Sequence, residues 1–208
     1  MSQKHRTAQS STRQALLFVL SAPSGTGKDT VINTLKQQGM DFYVVPSVTT
    51  RAPRPGESEG SPYHFVSQET FDRLVDQGEL LEHAKVHGNW YGQPRQPIRD
   101  NLAAGRDVLL KIDVKGAATI RSKVPNAIFI FLTPGSLEDL AQRLADRQTE
   151  TEEELQRRLA DARTELAEQH WYDYVIYNQQ GHLQEAVDYL RAIMMAEHCR
   201  VHPRKFVV

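Results

Sequence analysis

Cysteine is almost absent from this chain of 208 residues, in which Cys199 is the only one. An internal disulfide is therefore excluded, and the composition fits a reducing, cytoplasmic compartment. Long apolar runs are missing as well, since none approaches the roughly 18–20 residues that a membrane-spanning helix needs. Residues 1–13 are polar and lack the apolar core of a secretory signal peptide, so we expect a disordered tail there.

Net charge is also lacking, because 25 Lys and Arg residues stand against 26 Asp and Glu residues, which leaves a formal charge of -1. Domains that bind nucleic acids usually carry a strong positive excess, so we expect no nucleic-acid partner and, without an apolar span, no membrane partner. The length corresponds to one domain, which typically has about 100–200 residues.

Short apolar segments alternate with polar segments of helical character from residue 16 onwards, which is typical of an α/β protein with a mainly parallel sheet. The predicted strands are residues 16–20, 42–45, 108–112, 127–132 and 174–177. The predicted helices are residues 28–38, 69–77, 98–104, 137–148, 152–168 and 183–197. The first three helices end at Gly39, Gly78 and Gly105, where a left-handed backbone favours glycine.

Two segments depart from this alternation. Between residues 47 and 91, proline, glycine and single aromatic residues interrupt the pattern, which predicts a small inserted subdomain of short antiparallel strands. Residues 138–169 are nearly all polar, so this helical pair has little apolar surface to bury and we expect it to be mobile.

The first predicted strand leads into a glycine-rich loop that is followed by a helix. Glycines allow successive backbone N–H groups to point at one anion, the helix N-terminus adds partial positive charge, and Lys28 adds a full charge. The alternative is a glycine-rich turn with an exposed lysine. We expect a polyphosphate-binding site formed by Ala22, Pro23, Ser24, Gly25, Thr26, Gly27, Lys28, Asp29 and Thr30.

This loop resembles the Walker A loop of P-loop proteins, G-x-x-x-x-G-K-[ST], with two departures. Ala22 replaces the first glycine, and Asp29 occupies the place of the Ser or Thr whose hydroxyl normally meets Mg²⁺. Either the Asp29 carboxylate binds the ion, directly or through water, or Thr30 supplies a hydroxyl one position later. The sequence leaves both alternatives open.

Residues 49–65 carry a longer motif, T-[ST]-R-x-x-[KR]-x-x-[DE]-x-x-G-x-x-Y-x-[FY], which they match at every fixed position. On this motif the chain resembles the guanylate kinase family, and the resemblance extends over about residues 16–197. It implies a P-loop kinase fold in which helices flank a central parallel sheet, with a small mixed subdomain that binds the acceptor nucleotide and a helical lid. The implied boundaries are a single domain at 14–199, with its core at 14–46, 94–137 and 170–199, the GMP-binding subdomain at 47–93, the lid at 138–169, and a C-terminal tail at 200–208.

Arg51, Arg54 and Tyr63 are the part of this motif that suits a phosphate monoester, because two guanidinium groups can give bidentate, charge-assisted bonds. A solvated basic turn is the alternative. The resemblance implies that Glu82 accepts hydrogen bonds from N1–H and the N2 amine of guanine, whereas adenine has an unprotonated N1. The implied GMP-binding set is Ser47, Arg51, Arg54, Tyr63, Glu82, Tyr91, Gln93 and Asp113.

Two further positions differ from the family pattern. Gln93 stands where the family usually has Ser or Thr, and Lys111 stands where it usually has the first carboxylate of Asp-x-Asp. Lys111 leaves the details of acceptor contact open. Asp113 keeps the second carboxylate at the end of a predicted strand, where it can hold the water shell of Mg²⁺. The expected metal ligands are therefore Asp29, Thr30 and Asp113.

Arg143, Arg147 and Arg158 match the lid arginines of the family. A spacing of four places Arg143 and Arg147 on one helix face, from which both can approach the donor phosphates, although a solvated, salt-bridged face is the alternative. The resemblance implies Mg²⁺-dependent transfer of the γ-phosphoryl group of ATP to GMP or dGMP, a step of purine nucleotide metabolism. The expected catalytic residues are Lys28, Arg51, Arg143, Arg147 and Arg158.

Two other functions stay open at this point. Ribose bisphosphate phosphokinases also have Asp after the P-loop lysine, although they do not keep the complete acceptor set. A guanylate kinase-like module would bind phosphorylated peptides without catalysis, but such modules usually lose the phosphate loop and the lid arginines. The expected small-molecule partners are ATP and GMP, and the resemblance implies that a homodimer can form.

Overall fold

The computed structural model describes residues 14–54, 56–86, 88–145 and 152–208. Ten strands and seven α-helices follow one another over these residues. In chain order they are β1 (Leu17–Ser21), α1 (Lys28–Gln37), β2 (Tyr43–Val44), β3 (Ser47–Thr49), β4 (Ser58–Glu59), β5 (Pro62–Phe65), α2 (Gln68–Asp76), β6 (Leu80–Val86), β7 (Asn89–Pro94), α3 (Arg95–Ala103), β8 (Val108–Ile112), α4 (Val114–Lys123), β9 (Ile128–Pro134), α5 (Leu137–Ala145), α6 (Glu152–Ala167), β10 (Tyr174–Asn178) and α7 (Leu183–His198). The tail predicted at residues 1–13 lies outside the described residues.

The five segments predicted as buried strands form one parallel sheet with the order β10-β9-β1-β8-β2, which confirms the α/β architecture. β1 lies at its centre, and all five of its residues are buried. Successive side chains of a strand point to opposite faces. Phe18 and Leu20 pack with residues of α1 and α7, whereas Leu17 and Val19 pack with residues of α3 and α4. Helices therefore cover both apolar faces, as a parallel sheet requires.

Residues 47–94 contribute a second sheet with the order β4-β5-β3-β7-β6. β7 runs antiparallel to β3 and β6, but β5 runs parallel to β3. The expectation of antiparallel strands alone is therefore wrong, and the sheet is mixed, as the family resemblance implies. The physical reason is that a parallel neighbour requires a crossover connection between the two strands instead of a tight hairpin, and the parallel register places Ser47 beside Tyr63.

The observed strand ends differ from the predicted ones by at most two residues. Gly39, Gly78 and Gly105, which follow α1, α2 and α3, have φ values of +86°, +67° and +78°, so the glycine-terminated helix ends are confirmed. Helix α4 was not among the predicted helices, because Gly116 and the small residues around it obscure the apolar period of a helix. Its N-cap is Asp113, whose Oδ1 accepts a hydrogen bond from the Gly116 backbone N–H at 2.9 Å.

Helices α5 and α6 contact each other through a small apolar cluster of Leu140, Leu144 and Ala162. The pair therefore buries more apolar surface than its polar composition predicts. Its expected mobility stays a prediction, and residues 146–151, between the two helices, lie outside the described residues. Within the described ranges, no helix is both long enough and apolar enough to cross a lipid bilayer.

Candidate active site

A cleft of about 320 Å³ lies at the carboxyl edge of the parallel sheet, the usual location of ligands in open α/β sheets. Its lining comes from the loop between β1 and α1, the second sheet, the end of β8, and α6. The lining residues are residues 22–30, Ser47, Arg54, Tyr63, Glu82, Ala84, Val86, Tyr91, Gln93, Lys111, Ile112, Asp113, Arg158 and Glu165. The lining therefore includes all the predicted site residues that the structure describes except Arg51 and Arg143, while Arg147 lies outside the described residues.

The loop at residues 22–30 turns sharply from β1 into α1. Gly27, the residue before the helix, has a φ of +95°, which favours glycine. Lys28 begins the helix, and its Nζ donates a hydrogen bond to the Ala22 carbonyl oxygen at 2.7 Å. The lysine is thereby held against the loop, where the ammonium group and the helix N-terminus add their positive charge at one place.

The charge of Lys28 is balanced by carboxylates. Burial lowers the pKa of Lys28 to about 8, although Glu165 and Asp29 act in the opposite direction. Burial also raises the pKa of Glu165, on α6, to about 7, against the attraction of Lys28. A bound phosphate would favour the charged form of Lys28 in the same way as these carboxylates. Sequence reasoning missed Glu165, because an acid within a highly charged helix resembles part of a solvated face.

Two side chains from distant parts of the chain hold the phosphate loop at Thr26. Asn178, at the end of β10, donates from Nδ2 to the Thr26 carbonyl oxygen at 2.7 Å. Arg143 of α5 donates to the same oxygen at 3.0 Å and to the Asn178 carbonyl oxygen at 2.7 Å. A Cβ atom on Gly27 would lie 2.8 Å from Asn178 Nδ2, so glycine is required there. Asn178 was also missed, and its place at the carboxyl end of a parallel strand is the signal that points to it.

The predicted lid arginines have different surroundings. Arg158 of α6 lines the cleft, and its Nη2 donates to Ser24 Oγ at 3.3 Å. Arg143 contacts the loop through the Thr26 carbonyl. Arg147 lies outside the described residues. Two of the three arginines are therefore placed on the phosphate loop, and the contact of all three with ATP stays a prediction.

A cluster of cations and phenols lies on the second sheet. The Arg51 guanidinium carbon is 5.3 Å from the centroid of the Tyr63 ring, and the Tyr63 and Tyr91 rings are 5.7 Å apart. Arg51 Nη2 donates to both carboxylate oxygens of Glu57, at 2.8 and 2.9 Å, and Glu57 also accepts from the backbone N–H of Arg54 at 2.8 Å. The cluster has the donors that a phosphate needs and one carboxylate as an internal counter-ion.

The same cleft contains two buried acceptor atoms. Among the described residues, Glu82 Oε2 and Gln93 Oε1 are buried and have no hydrogen-bond partner. Gln93 is held through its other end, since its Nε2 donates to Ser47 Oγ at 2.5 Å. Burial and the carboxylate of Asp113 raise the pKa of Glu82 to about 8. A Cβ atom on Gly116 would lie 3.0 Å from Glu82 Oε2, so this glycine leaves room for the carboxyl group.

Unpaired buried acceptors cost about 1–3 kcal/mol each unless a ligand supplies the missing donors. The N1–H and N2 amine of guanine are two adjacent donors, whereas adenine has an unprotonated nitrogen in place of N1–H. The acceptors on Glu82 and Gln93 therefore suit guanine better than adenine.

The oxygen atoms available for a metal ion are few. Among the described residues, no group of three or more His, Cys, Asp and Glu side chains is arranged to hold a metal ion. Asp29, whose side chain is 70% exposed, pairs with Lys111 at 2.5 Å, while Asp113 Oδ1 accepts a hydrogen bond from the Gly116 N–H in the first turn of α4. So sparse a set fits Mg²⁺, which usually keeps several waters and binds one or two carboxylates together with substrate phosphates.

Lys111 is the third side chain to which sequence reasoning assigned no role. Besides its contact with Asp29, its ammonium group lies 5.3 Å from the centroid of the Tyr63 ring. The signal in the sequence is that Asp29 and Lys111 both depart from the family pattern and carry opposite charges.

Comparison with known proteins points to one family. The family model described as guanylate kinase matches residues 14–197. A guanylate kinase of Halalkalibacterium halodurans is 43% identical over 187 residues, which cover 90% of this chain and 91% of that protein. A guanylate kinase of Thermobifida fusca is 48% identical over 180 residues, which cover 86% of this chain and 91% of that protein. The crystal structure of guanylate kinase from Anaplasma phagocytophilum matches with a TM-score of 0.74 and 36% identity, over 91% of this chain and 89% of that one.

Proposed function

Because the chain belongs to the guanylate kinase family and is therefore an ATP:GMP phosphotransferase, we propose that its cleft binds GMP at Glu82 and ATP at the phosphate loop. One observation carries the proposal: within the described chain, the buried acceptors Glu82 Oε2 and Gln93 Oε1 have no protein partner. They share a cleft with Lys28 and the glycine-rich loop. A guanine nucleotide beside a nucleoside triphosphate would satisfy both features at once.

On the acceptor side, the guanine edge donates to Glu82, and Gln93 and Asp113 lie beside it. The phosphate of GMP is bound by a set of cations and hydroxyl groups, which are Ser47, Arg51, Arg54, Tyr63 and Tyr91. Glu57 pairs with Arg51 at 2.8 Å in the structure. In this assignment the phosphate either displaces the Glu57 carboxylate from Arg51 or binds Arg51 together with it. The deoxynucleotide dGMP serves equally, because no assigned contact involves the ribose 2′-hydroxyl.

On the donor side, the backbone N–H groups of residues 22–30 and the Lys28 ammonium group bind the phosphates of ATP. Arg143, Arg147 and Arg158 supply further positive charge from the proposed lid at residues 138–169. The proposed acceptor subdomain comprises residues 47–93, and the remaining core comprises residues 14–46, 94–137 and 170–199. Closure of the lid and the acceptor subdomain around the substrates would exclude water and so limit hydrolysis of ATP.

The reaction needs charge stabilisation rather than a general base. An oxygen of the GMP phosphate attacks the γ-phosphorus, and the bond from that phosphorus to the ADP oxygen breaks, which gives GDP and ADP. The second pKa of a phosphate monoester is about 6, so the attacking oxygen carries no proton at neutral pH. Lys28 and Arg51 reduce the repulsion between the two anions and stabilise the charge on the transferred group.

We expect Mg²⁺ to accompany ATP, with Asp29, Thr30 and Asp113 as its protein ligands, directly or through water. When bound, it neutralises charge on the phosphates. The proposal also places the reaction in the cytoplasm, where ATP and GMP are available and a lone thiol such as Cys199 stays reduced. The proposal includes a homodimer. A mass of one chain, measured by light scattering at micromolar concentration, would contradict this part of it.

A coupled assay of ADP release tests the acceptor, with GMP, dGMP, AMP and a ribose bisphosphate compared at equal concentration. We expect turnover with GMP and dGMP, and roughly 10⁴-fold lower kcat/KM with AMP, since a site built on hydrogen bonds rejects a substrate that lacks the donors. Glu82→Gln should lose most of this preference. Glu79→Gln is the matched control, because Glu79 is exposed and lies just before β6, outside the cleft.

Equal turnover of AMP and GMP by the wild-type protein would contradict the role of Glu82. Turnover with the ribose bisphosphate alone would favour the function of a sugar-phosphate kinase. No turnover with any acceptor would favour the function of a phosphopeptide-binding module. The relatives do not favour either alternative, because they are described as guanylate kinases along about nine-tenths of this chain.

A further inference from the structure

Lys111 connects the two sides of the cleft. It lies on β8 beside Leu20 of β1, and its side chain is only 10% exposed. Its Nζ donates to Asp29 Oδ1 at 2.5 Å and lies 5.3 Å from the centroid of the Tyr63 ring. Asp29 stands in the first turn of α1 next to Lys28, whereas Tyr63 belongs to the second sheet. One ammonium group is therefore in contact with both the donor side and the acceptor side.

Tyr63 is also the ring beside Arg51, whose guanidinium carbon lies 5.3 Å from the same centroid. Each of these two cations has a carboxylate partner, since Glu57 pairs with Arg51 at 2.8 Å and Asp29 with Lys111 at 2.5 Å. Burial raises the pKa of Tyr63 and Lys111 opposes this rise, so the charge of the ammonium group acts on the phenol. A phosphate bound by Arg51 and Tyr63 would lie where it also attracts Lys111.

We propose that Lys111 binds the acceptor phosphate and that Asp29 positions the Lys111 ammonium group for this contact. The inference rests on the proposed function, because it adds a residue to the same acceptor site. Lys111 takes part in no bond change: the acceptor oxygen attacks, ADP leaves, and the ammonium group keeps its proton. Its contribution is to reduce the repulsion between the acceptor and donor phosphates as they approach.

The pairing of Asp29 with Lys111 also affects the donor side of the cleft. A carboxylate next to Lys28 repels the donor phosphates unless cations neutralise it, and Lys111 is the protein cation that pairs with it, beside the Mg²⁺ expected there. Removal of Lys111 alone therefore leaves this carboxylate beside the donor site without its protein counter-ion. Removal of both charges does not, so the losses caused by the two single changes should not add.

The first test compares the binding of GMP and guanosine to Lys111→Met by isothermal titration calorimetry. Loss of one charged hydrogen bond should weaken GMP binding roughly 10- to 100-fold. Guanosine, which has no phosphate, should bind as it does to the wild-type protein, and Lys111→Arg should restore most of the GMP affinity. Unchanged GMP affinity, or equal losses for GMP and guanosine, would overturn the proposal.

The matched control is Lys85→Met. Lys85 also lies over an aromatic ring, 5.8 Å from the centroid of Trp90, but it is exposed and outside the cleft. Both ligands should bind this variant with wild-type affinity.

The second test measures kcat and KM for Lys111→Met, Asp29→Asn and the double variant. At a saturating concentration of Mg²⁺, which offsets the loss of one metal ligand, Lys111→Met should raise KM for GMP, and the double variant should have a higher kcat/KM than Lys111→Met alone. Additive losses would overturn the positioning role of Asp29. A wild-type protein without GMP phosphorylation would instead refute the proposed function, while the comparison of GMP with guanosine would still test the Lys111 contact.

Discussion

GMP binding should release a proton from Glu82. Burial and the Asp113 carboxylate raise the pKa of this carboxyl group to about 8 in the unliganded cleft. At pH 7, one unit lower, about nine molecules in ten therefore carry the proton. The guanine edge presents two donors, and a protonated carboxyl group opposes one of them with its own O–H. GMP should consequently select the ionised form of Glu82.

The size of the effect follows from the same pKa. Each pH unit below the pKa reduces the free energy of GMP binding by about 1.4 kcal/mol, because Glu82 must first lose its proton. GMP affinity should therefore rise roughly 10- to 20-fold from pH 6.5 to 8 and then level off. This range lies above the second pKa of the GMP phosphate, about 6, so the titration of the phosphate contributes little.

Calorimetry at pH 7 in two buffers of different ionisation enthalpy measures the proton directly. We expect about 0.9 proton released per GMP bound. Glu82→Gln should release almost none and bind GMP with little dependence on pH. Glu165→Gln is the control, since Glu165 also has a raised pKa, about 7, but faces Lys28 on the donor side. Intact GMP binding by the wild-type protein without proton release would refute this reasoning.

The cleft leads to three other expected outcomes. Glu82→Gln should stabilise the unliganded protein by about 1–4 kcal/mol more at pH 8 than at pH 5. The stability that protonated Glu82 contributes is complete below pH 4.5, the pKa of this carboxyl group in the unfolded chain, and is lost progressively as the pH rises through its folded pKa of about 8. Urea unfolding at the two pH values measures the difference. Gly27→Ala should cost about 1–3 kcal/mol of stability and raise KM for ATP more than KM for GMP, as unfolding and kinetics would show; its φ is +95°, and its new Cβ would lie 2.8 Å from Asn178 Nδ2. Lys28→Ala should lower kcat by about 10²–10³-fold while calorimetry still detects GMP binding, and wild-type turnover in this variant would contradict the phosphate-loop assignment.

Local pattern predicted the elements of the parallel sheet well. Residues 108–112 were predicted as a strand and form β8 with the same ends, because a buried parallel strand is a short apolar run between polar residues. The direction of β5 was not predictable in this way. The spacing of apolar residues along the sequence indicates that a strand exists, but not which neighbouring strand it pairs with. The pairing of Ser47 with Tyr63 depends on the course of the chain between them.

By itself, the sequence determined the phosphate loop and the acceptor motif, because each is a contiguous segment whose chemistry depends on residues a few positions apart. Only the tertiary structure decided which distant side chains share the cleft. Lys111 and Asp29 are 82 positions apart, and Asn178 and Thr26 are 152 apart. They meet because β1, β8 and β10 are parallel strands of one sheet, so the segments that follow their carboxyl ends converge at one edge. Burial is likewise tertiary: Glu82 has the local sequence of a surface acid, and its raised pKa arises only because folding leaves it 3% exposed.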